Sequence, residues 1–162
     1  MIKIIIVILF IFNILSCEPI QQPSSKGDIQ KPTSFICLTS QSKCEINSQF
    51  GLISVQFSGE ALQERIKTEL SFQIQLKFDA ANNAYKLKTI SSYLEGKTMF
   101  MGKIPLFFEM DEKLTNSMVA ESLLASCSEE VMTWRLWFQV EITTGSEVQH
   151  QNFFIDFDSQ RL

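Results

Sequence analysis

The chain has 162 residues, 45% of them hydrophobic, and 14 Lys and Arg against 18 Asp and Glu give a formal charge of −4. That length suits one domain with a real core and does not comfortably suit two. An acidic chain without a basic stripe argues against a nucleic-acid partner and against purely electrostatic attachment to a membrane.

In chain order, Met1-Ile2-Lys3 leads into an unbroken apolar run from Ile4 to Phe12, then Asn13-Ile14-Leu15-Ser16-Cys17. A positive start, a short apolar core and a small residue before a cut are the parts of a secretory signal. The run falls short of the roughly 20 apolar residues that a membrane-spanning helix needs. Ile14-Leu15-Ser16-Cys17 resembles the bacterial lipobox, which implies cleavage before Cys17 and a lipid on that cysteine. Residues 1–16 are therefore expected to be a lipoprotein signal peptide. The mature chain would be anchored to a membrane of the bacterial cell envelope and would face the periplasm. Only Lys3 of the basic residues leaves with the signal, so 13 basic against 18 acidic residues make the mature charge −5.

Residues 17–34 carry Pro19, Gln21, Gln22, Pro23, Ser24, Ser25, Lys26, Gly27 and Pro32. Such a stretch buries little and reads as a flexible tether. The folded domain is expected over residues 35–162.

Strand signals follow. Ile53, Val55 and Phe57 form a weak period-two set, and Ala61 to Leu70 allow a helical turn or two on thin support. Leu70, Phe72, Ile74, Leu76 and Phe78 alternate with Ser71, Gln73, Gln75 and Lys77, putting five apolar side chains on one face. Weaker strands are read at Tyr85–Leu94, Ile104–Met110 and Met118–Leu124, with turns at Asn82-Asn83 and Glu95-Gly96-Lys97. Trp134, Leu136, Phe138, Val140 and Ile142 alternate as strongly, as do Phe153, Ile155 and Phe157. Thr144-Gly145-Ser146 joins those two runs as a hairpin. Fourteen phenylalanines suit a β-rich core. The pattern predicts an all-β domain, an immunoglobulin-like antiparallel β-sandwich of about seven to eight strands, with a small barrel as the alternative.

Hydrolytic chemistry finds little support. His150 is the one histidine, flanked by Gln149 and Gln151, and no Gly-x-Ser-x-Gly motif accompanies it. Asp111-Glu112 and Glu129-Glu130 sit between strands, where paired charge is usually solvation. Glycine-rich phosphate loops and zinc-ligand spacing are absent. The expectation is a non-enzyme.

Sulfur is the more informative element. Met99 and Met101 stand at i and i+2 in Lys97-Thr98-Met99-Phe100-Met101-Gly102-Lys103, so an extended backbone sends both thioethers to one side. Cys127 and Met132 precede the Trp134 strand and meet the Met99/Met101 edge if the two strands adjoin. Thioether and thiolate ligands prefer Cu(I). Methionine also fills irregular core gaps beside aromatic rings, which is the plainer use of the same residues. Cys37, Cys44 and Cys127 remain after the lipid site, an odd number that allows one disulfide in three pairings. A Cys37–Cys44 loop leaves Cys127 for a metal, whereas a bridge to Cys127 removes any thiolate role.

The paired cysteines at Cys37 and Cys44, the Met99-Phe100-Met101-Gly102 segment, and Cys127 followed by Met132-Thr133-Trp134 together resemble small proteobacterial periplasmic or lipid-anchored domains in the style of the YtkA/FixH-like family. The likeness spans about Phe35 to Phe157. It implies an immunoglobulin-like sandwich, a role in copper handling or respiratory oxidase assembly, and Met99, Met101, Cys127 and Met132 as the metal-binding residues. This chain departs from some copper-handling relatives in having Lys103-Ile104-Pro105, rather than a histidine, after the methionine segment. Two functions are carried forward. One is a lipoprotein that binds or delivers Cu(I); the other is an interaction lipoprotein of an envelope complex that holds no metal.

Overall fold

The computed structural model describes residues 33–36 and 43–162. The described residues form β1 (Thr33–Ile36), β2 (Lys43–Ser48), β3 (Gly51–Ser58), β4 (Ile66–Lys67), β5 (Ser71–Ala80), β6 (Tyr85–Gly96), β7 (Lys103–Phe107), β8 (Glu109–Met110), β9 (Ser117–Leu123), β10 (Val131–Thr144) and β11 (Glu147–Gln160), and the strongest period-two runs become β5, β10 and β11. One sheet runs β1-β11-β10-β6-β7, with β4 added against β11, and the other runs β2-β3-β5-β9-β8. Pairing is antiparallel except where β1 and β4 lie parallel to β11. Among the described residues no helix is long and apolar enough to cross a membrane. The expected signal peptide, Cys17 and nearly all of the tether lie outside the described residues, as does Cys37.

The two sheets pack as a β-sandwich around one core. Phe72, Ile74, Leu76 and Phe78 of β5 are buried, as are Trp134, Leu136, Phe138, Val140 and Ile142 of β10. Phe153, Ile155 and Phe157 of β11 complete the inner face. Removing such side chains from water contributes roughly 1.5–3 kcal/mol each. The Phe138 and Phe153 rings stack at 4.8 Å, and Phe57 meets Phe157 at 5.3 Å. The Trp134 indole N–H donates to Ser159 Oγ at 2.9 Å, which satisfies a polar group inside the core.

The β10–β11 hairpin forms as the sequence predicts. Thr144 pairs with Glu147, leaving Gly145 and Ser146 as a two-residue loop. Gly145 has φ +74°, the positive first central position that such tight turns require.

Several expectations change. Among the described residues, eleven strands replace seven or eight, because short pieces such as β4 and β8 carry too few residues to show a period. Ala61 to Leu70 forms no helix; turns there lead through the Leu62–Ile66 bridge into β4. Ile104 to Met110 is not one strand but β7 in the first sheet and β8 in the second. Phe108 marks the crossing, half-buried with its ring 5.9 Å from Phe138. Glu95 and Gly96 are not turn residues; they pair with Arg135 and Trp134 as the end of β6.

Candidate functional site

The β6–β10 pairing brings the two sulfur groups to one end of the sandwich. Gly96 is the last β6 residue in register with β10, opposite Trp134. The Lys97 N–H then donates to the Thr133 carbonyl at 3.0 Å, and the chain leaves the sheet before returning as β7 at Lys103, paired with Glu95. Met99 and Met101 therefore belong to the β6–β7 loop, not to an extended strand as expected. Both are half-buried and packed against the core, while Phe100 between them is 93% exposed. Alternate residues thus point inward even without a strand.

Met132 lies on β10 with its side chain on the core face, 3% exposed. It is a diagonal neighbour of Gly96, two residues from the Trp134 that Gly96 opposes. Cys127 sits in the segment that carries the chain from β9 in the second sheet to β10 in the first. Its Sγ is 3.6 Å from Met132 Sδ and 3.6 Å from the Glu129 carbonyl oxygen. Cys127 is a free, half-buried thiol. Cys44, buried on β2, is not a free thiol.

Met132, Met101 and the backbone of Met99 come together over Gly96. A Cβ at that position would collide with the Met99 carbonyl oxygen and Met132 Cε, and it would stand 3.3 Å from Met101 Cγ. All four residues singled out from sequence are therefore at one end of the core, where the β6–β7 loop and the β9–β10 crossing pass each other. Among the described residues there is no group of three or more His, Cys, Asp or Glu able to hold a metal. The donors at this end are three thioethers and one thiol, all soft.

A charged network fixes the outer side of the same loop. Asp156 is 7% exposed and accepts from Arg135 Nε at 2.7 Å, Arg135 Nη2 at 2.9 Å and Lys97 Nζ at 2.8 Å. Burial pushes the Asp156 carboxyl up, but hydrogen bonds from Arg135 and Lys97, with their charge, outweigh it and hold it below the usual carboxylate range. The hydrogen bond to Asp156 in turn raises Arg135. The Arg135 guanidinium lies 3.8 Å from the Phe154 ring centroid, and Phe154 packs on Trp137 at 4.8 Å. These contacts explain why Phe154 and Asp156 are buried on what alternation makes the outer face of β11. Lys97 is thus held by its backbone to β10 and by its side chain to β11, one step before the sulfur loop.

Sequence reading missed Gly96, because a glycine beside Glu95 and Lys97 looks like a turn. The usable signal was its place at the end of a long strand pattern, where glycine marks a close approach. His150 lies on β11 rather than in a loop, half-exposed, with Nδ1 4.0 Å from Glu141 Oε1. A polar groove of about 550 Å³ on the outer face of the second sheet is lined by Gln56, Gln73, Gln75 and Asp111 among others. Gln75 Nε2 donates to Asp111 Oδ2 there at 2.9 Å.

No family model matches the chain, and no curated protein matches it. Among solved structures, a DUF4785 family protein from Legionella pneumophila is similar, with a TM-score of 0.51 and 13% identity. That match covers 67% of this chain but 29% of the other, so this chain spans less than a third of that protein. At this identity the likeness is one of fold. A superoxide reductase (neelaredoxin) from Ignicoccus hospitalis matches over 67% of this chain and 80% of that one, at a TM-score of 0.37 and 10% identity. That likeness is too weak to carry a conclusion.

Proposed function

We propose that this chain is a lipid-anchored, periplasm-facing immunoglobulin-like domain that binds Cu(I) through Met99, Met101 and Met132, with Cys127 as a fourth soft ligand. The approach of the Met101 side chain and the Met99 backbone to Met132 over Gly96, with Met132 3.6 Å from the free Cys127 thiol, is the observation that carries this reading. Thioethers need no deprotonation to bind a soft cation and cannot form disulfides, which suits an oxidising compartment. The half-buried loop leaves the cluster near the surface, where a metal can enter and be passed on. Delivery during respiratory oxidase assembly follows from the family resemblance of the sequence.

Immunoglobulin-like topology is supported by the strand order. β11-β10-β6-β7 faces β3-β5-β9-β8, with β1 parallel to β11 at the sheet edge. With β2 added at the edge of the second sheet beside β3, that order parallels the two-sheet order of immunoglobulin domains, which is what favours this reading. A Cys37–Cys44 disulfide completes the proposal, since Cys127 is free and Cys44 is not. Anchorage through Cys17 rests on the lipobox-like Ile14-Leu15-Ser16-Cys17 and the tether behind it. Radiolabelled palmitate incorporation in a bacterial host tests it: label is expected on the wild-type chain and absent from Cys17→Ala, and label on neither sinks the anchor.

The copper reading is tested by titrating reduced protein with Cu(I) against a competing chromophoric chelator. Uptake of one Cu(I) per chain supports it; no uptake beyond that of Met99→Leu/Met101→Leu removes it.

A second reading, an interaction module without a metal, is favoured by Phe100, 93% exposed at the loop tip, and Phe107, 78% exposed on the edge strand β7. A contact would cover these two rings, as contacts cover contiguous apolar surface. Crosslinking in membranes separates the two readings: a partner lost on Phe100→Ser, with no dependence on copper, favours the module.

A further inference from the structure

Gly96 occupies a position where glycine is costly. It lies within a strand, where the missing side chain weakens packing and adds chain entropy to the unfolded state. Its backbone does not require glycine either. Among the described residues, the glycines with positive φ are Gly51, Gly59, Gly102 and Gly145, and Gly96 is not one of them. Another cause must hold it there.

That cause is the space a side chain would fill. As the cross-strand partner of Trp134, Gly96 directs its missing Cβ to the same inner face. The added atom would overlap Met132 Cε and the Met99 carbonyl oxygen and press on Met101 Cγ. It would stand between the side chain rising from β10 and the loop closing over it. Gly102, at the other end of the loop, has open space around it and a φ of +74°, so its glycine serves the backbone turn. The two glycines that bracket the loop do different work.

We propose that Gly96 is the positioning residue of the sulfur site: its bare backbone lets the Met99/Met101 loop close onto Met132, and any side chain there splits the cluster into two separate groups. The inference deepens the copper reading above and rests on it for its purpose. Its geometric content stands apart, since methionine contact is measurable without metal. Met132 is the pivot, held from below by β10 and flanked by Cys127 at 3.6 Å. Leucine at position 132 would fill the core but remove a donor. Alanine at position 96 keeps every donor and spoils only their meeting.

The experiment uses the full chain with 13C-methyl-labelled methionine. In metal-free wild type, a nuclear Overhauser contact between the Met132 methyl and the Met101 side chain is expected. In Gly96→Ala it is expected to vanish, with the Met132 methyl shifted and the signals of distant Met118 unchanged. A wild type without the contact, or a Gly96→Ala variant that keeps it, overturns the proposal. Where Gly96→Ala fails to fold, Gly96→Ala/Met132→Ala decides. Removing the Met132 side chain clears its overlap but also costs core packing, so each Gly96→Ala chain is compared with its own parent: Gly96→Ala must cost less stability in the Met132→Ala background than in wild type, and an equal or greater cost overturns the proposal. Titration with Ag(I), a redox-inert stand-in for Cu(I), runs in parallel. Affinity is expected to fall at least tenfold in Gly96→Ala. A wild type that binds no Ag(I) defeats the copper reading, while the methyl contact still decides the role of Gly96.

Discussion

Cys127 Sγ lies 3.6 Å from Met132 Sδ, although one residue belongs to the crossing between the sheets and the other to the core face of β10. The contact places a free thiol against a buried thioether at the end of the sandwich where the β6–β7 loop closes. A disulfide to Cys127 would pull that sulfur away from Met132, so the pairing of the cysteines bears directly on the site.

Alkylation of the unreduced, denatured protein followed by mass mapping is therefore expected to find Cys127 modified and the Cys37 and Cys44 peptides joined. A joined Cys127 peptide would contradict the free thiol and remove its role as a ligand.

Asp156 ties Lys97 and Arg135 together on the outer face. Asp156→Ala leaves Arg135, about a quarter exposed, without its partner beside Phe154. A loss of about 2–3 kcal/mol is expected by urea unfolding, below the range for a fully buried pair because both cations reach solvent. Lys97→Ala removes the more exposed cation and is expected to cost about 1 kcal/mol or less.

The same carboxylate fixes a pH dependence. Its folded-state pKa lies below its unfolded value, so its contribution is present above the unfolded pKa of about 4 and is lost as pH falls through the folded value. Wild-type stability is expected to decline on acidification through that window, and the difference between wild type and Asp156→Asn is expected to shrink with it. A difference that stays constant down to about pH 2 would contradict the assignment.

Ser159 accepts the Trp134 indole N–H in a fully buried setting. Ser159→Ala leaves that donor unsatisfied and is expected to cost about 1–3 kcal/mol. Ser58→Ala, on the exposed face of β3, is expected to change stability by no more than about 0.5 kcal/mol. Paired denaturation curves check both.

The long strands were legible because one buried face imposes a period of two, and β5 and β10 carry it without interruption. Short strands were not, since β4 and β8 hold two residues each, too few to show a period, and β4 takes its place from β11 far along the chain. β11 hid its outer face: Phe154 and Asp156 look solvent-directed by alternation, yet Arg135, Lys97 and Trp137 cover them. That Met99, Met101, Met132 and Cys127 lie at one end of the core was foreseeable only on the condition that β6 and β10 adjoin, which they do. Their route to one another was misjudged. A loop, not a strand, carries Met99 and Met101, and Gly96 admits them by lacking a side chain.

The central claim is that these four sulfurs hold one soft metal ion. Competitive Cu(I) titration of the reduced full chain, compared with Met99→Leu/Met101→Leu, tests it most directly. One Cu(I) per wild-type chain is expected, with affinity falling at least tenfold in the double variant, about 1.4 kcal/mol or more. Equal and poor binding by both proteins would contradict the claim.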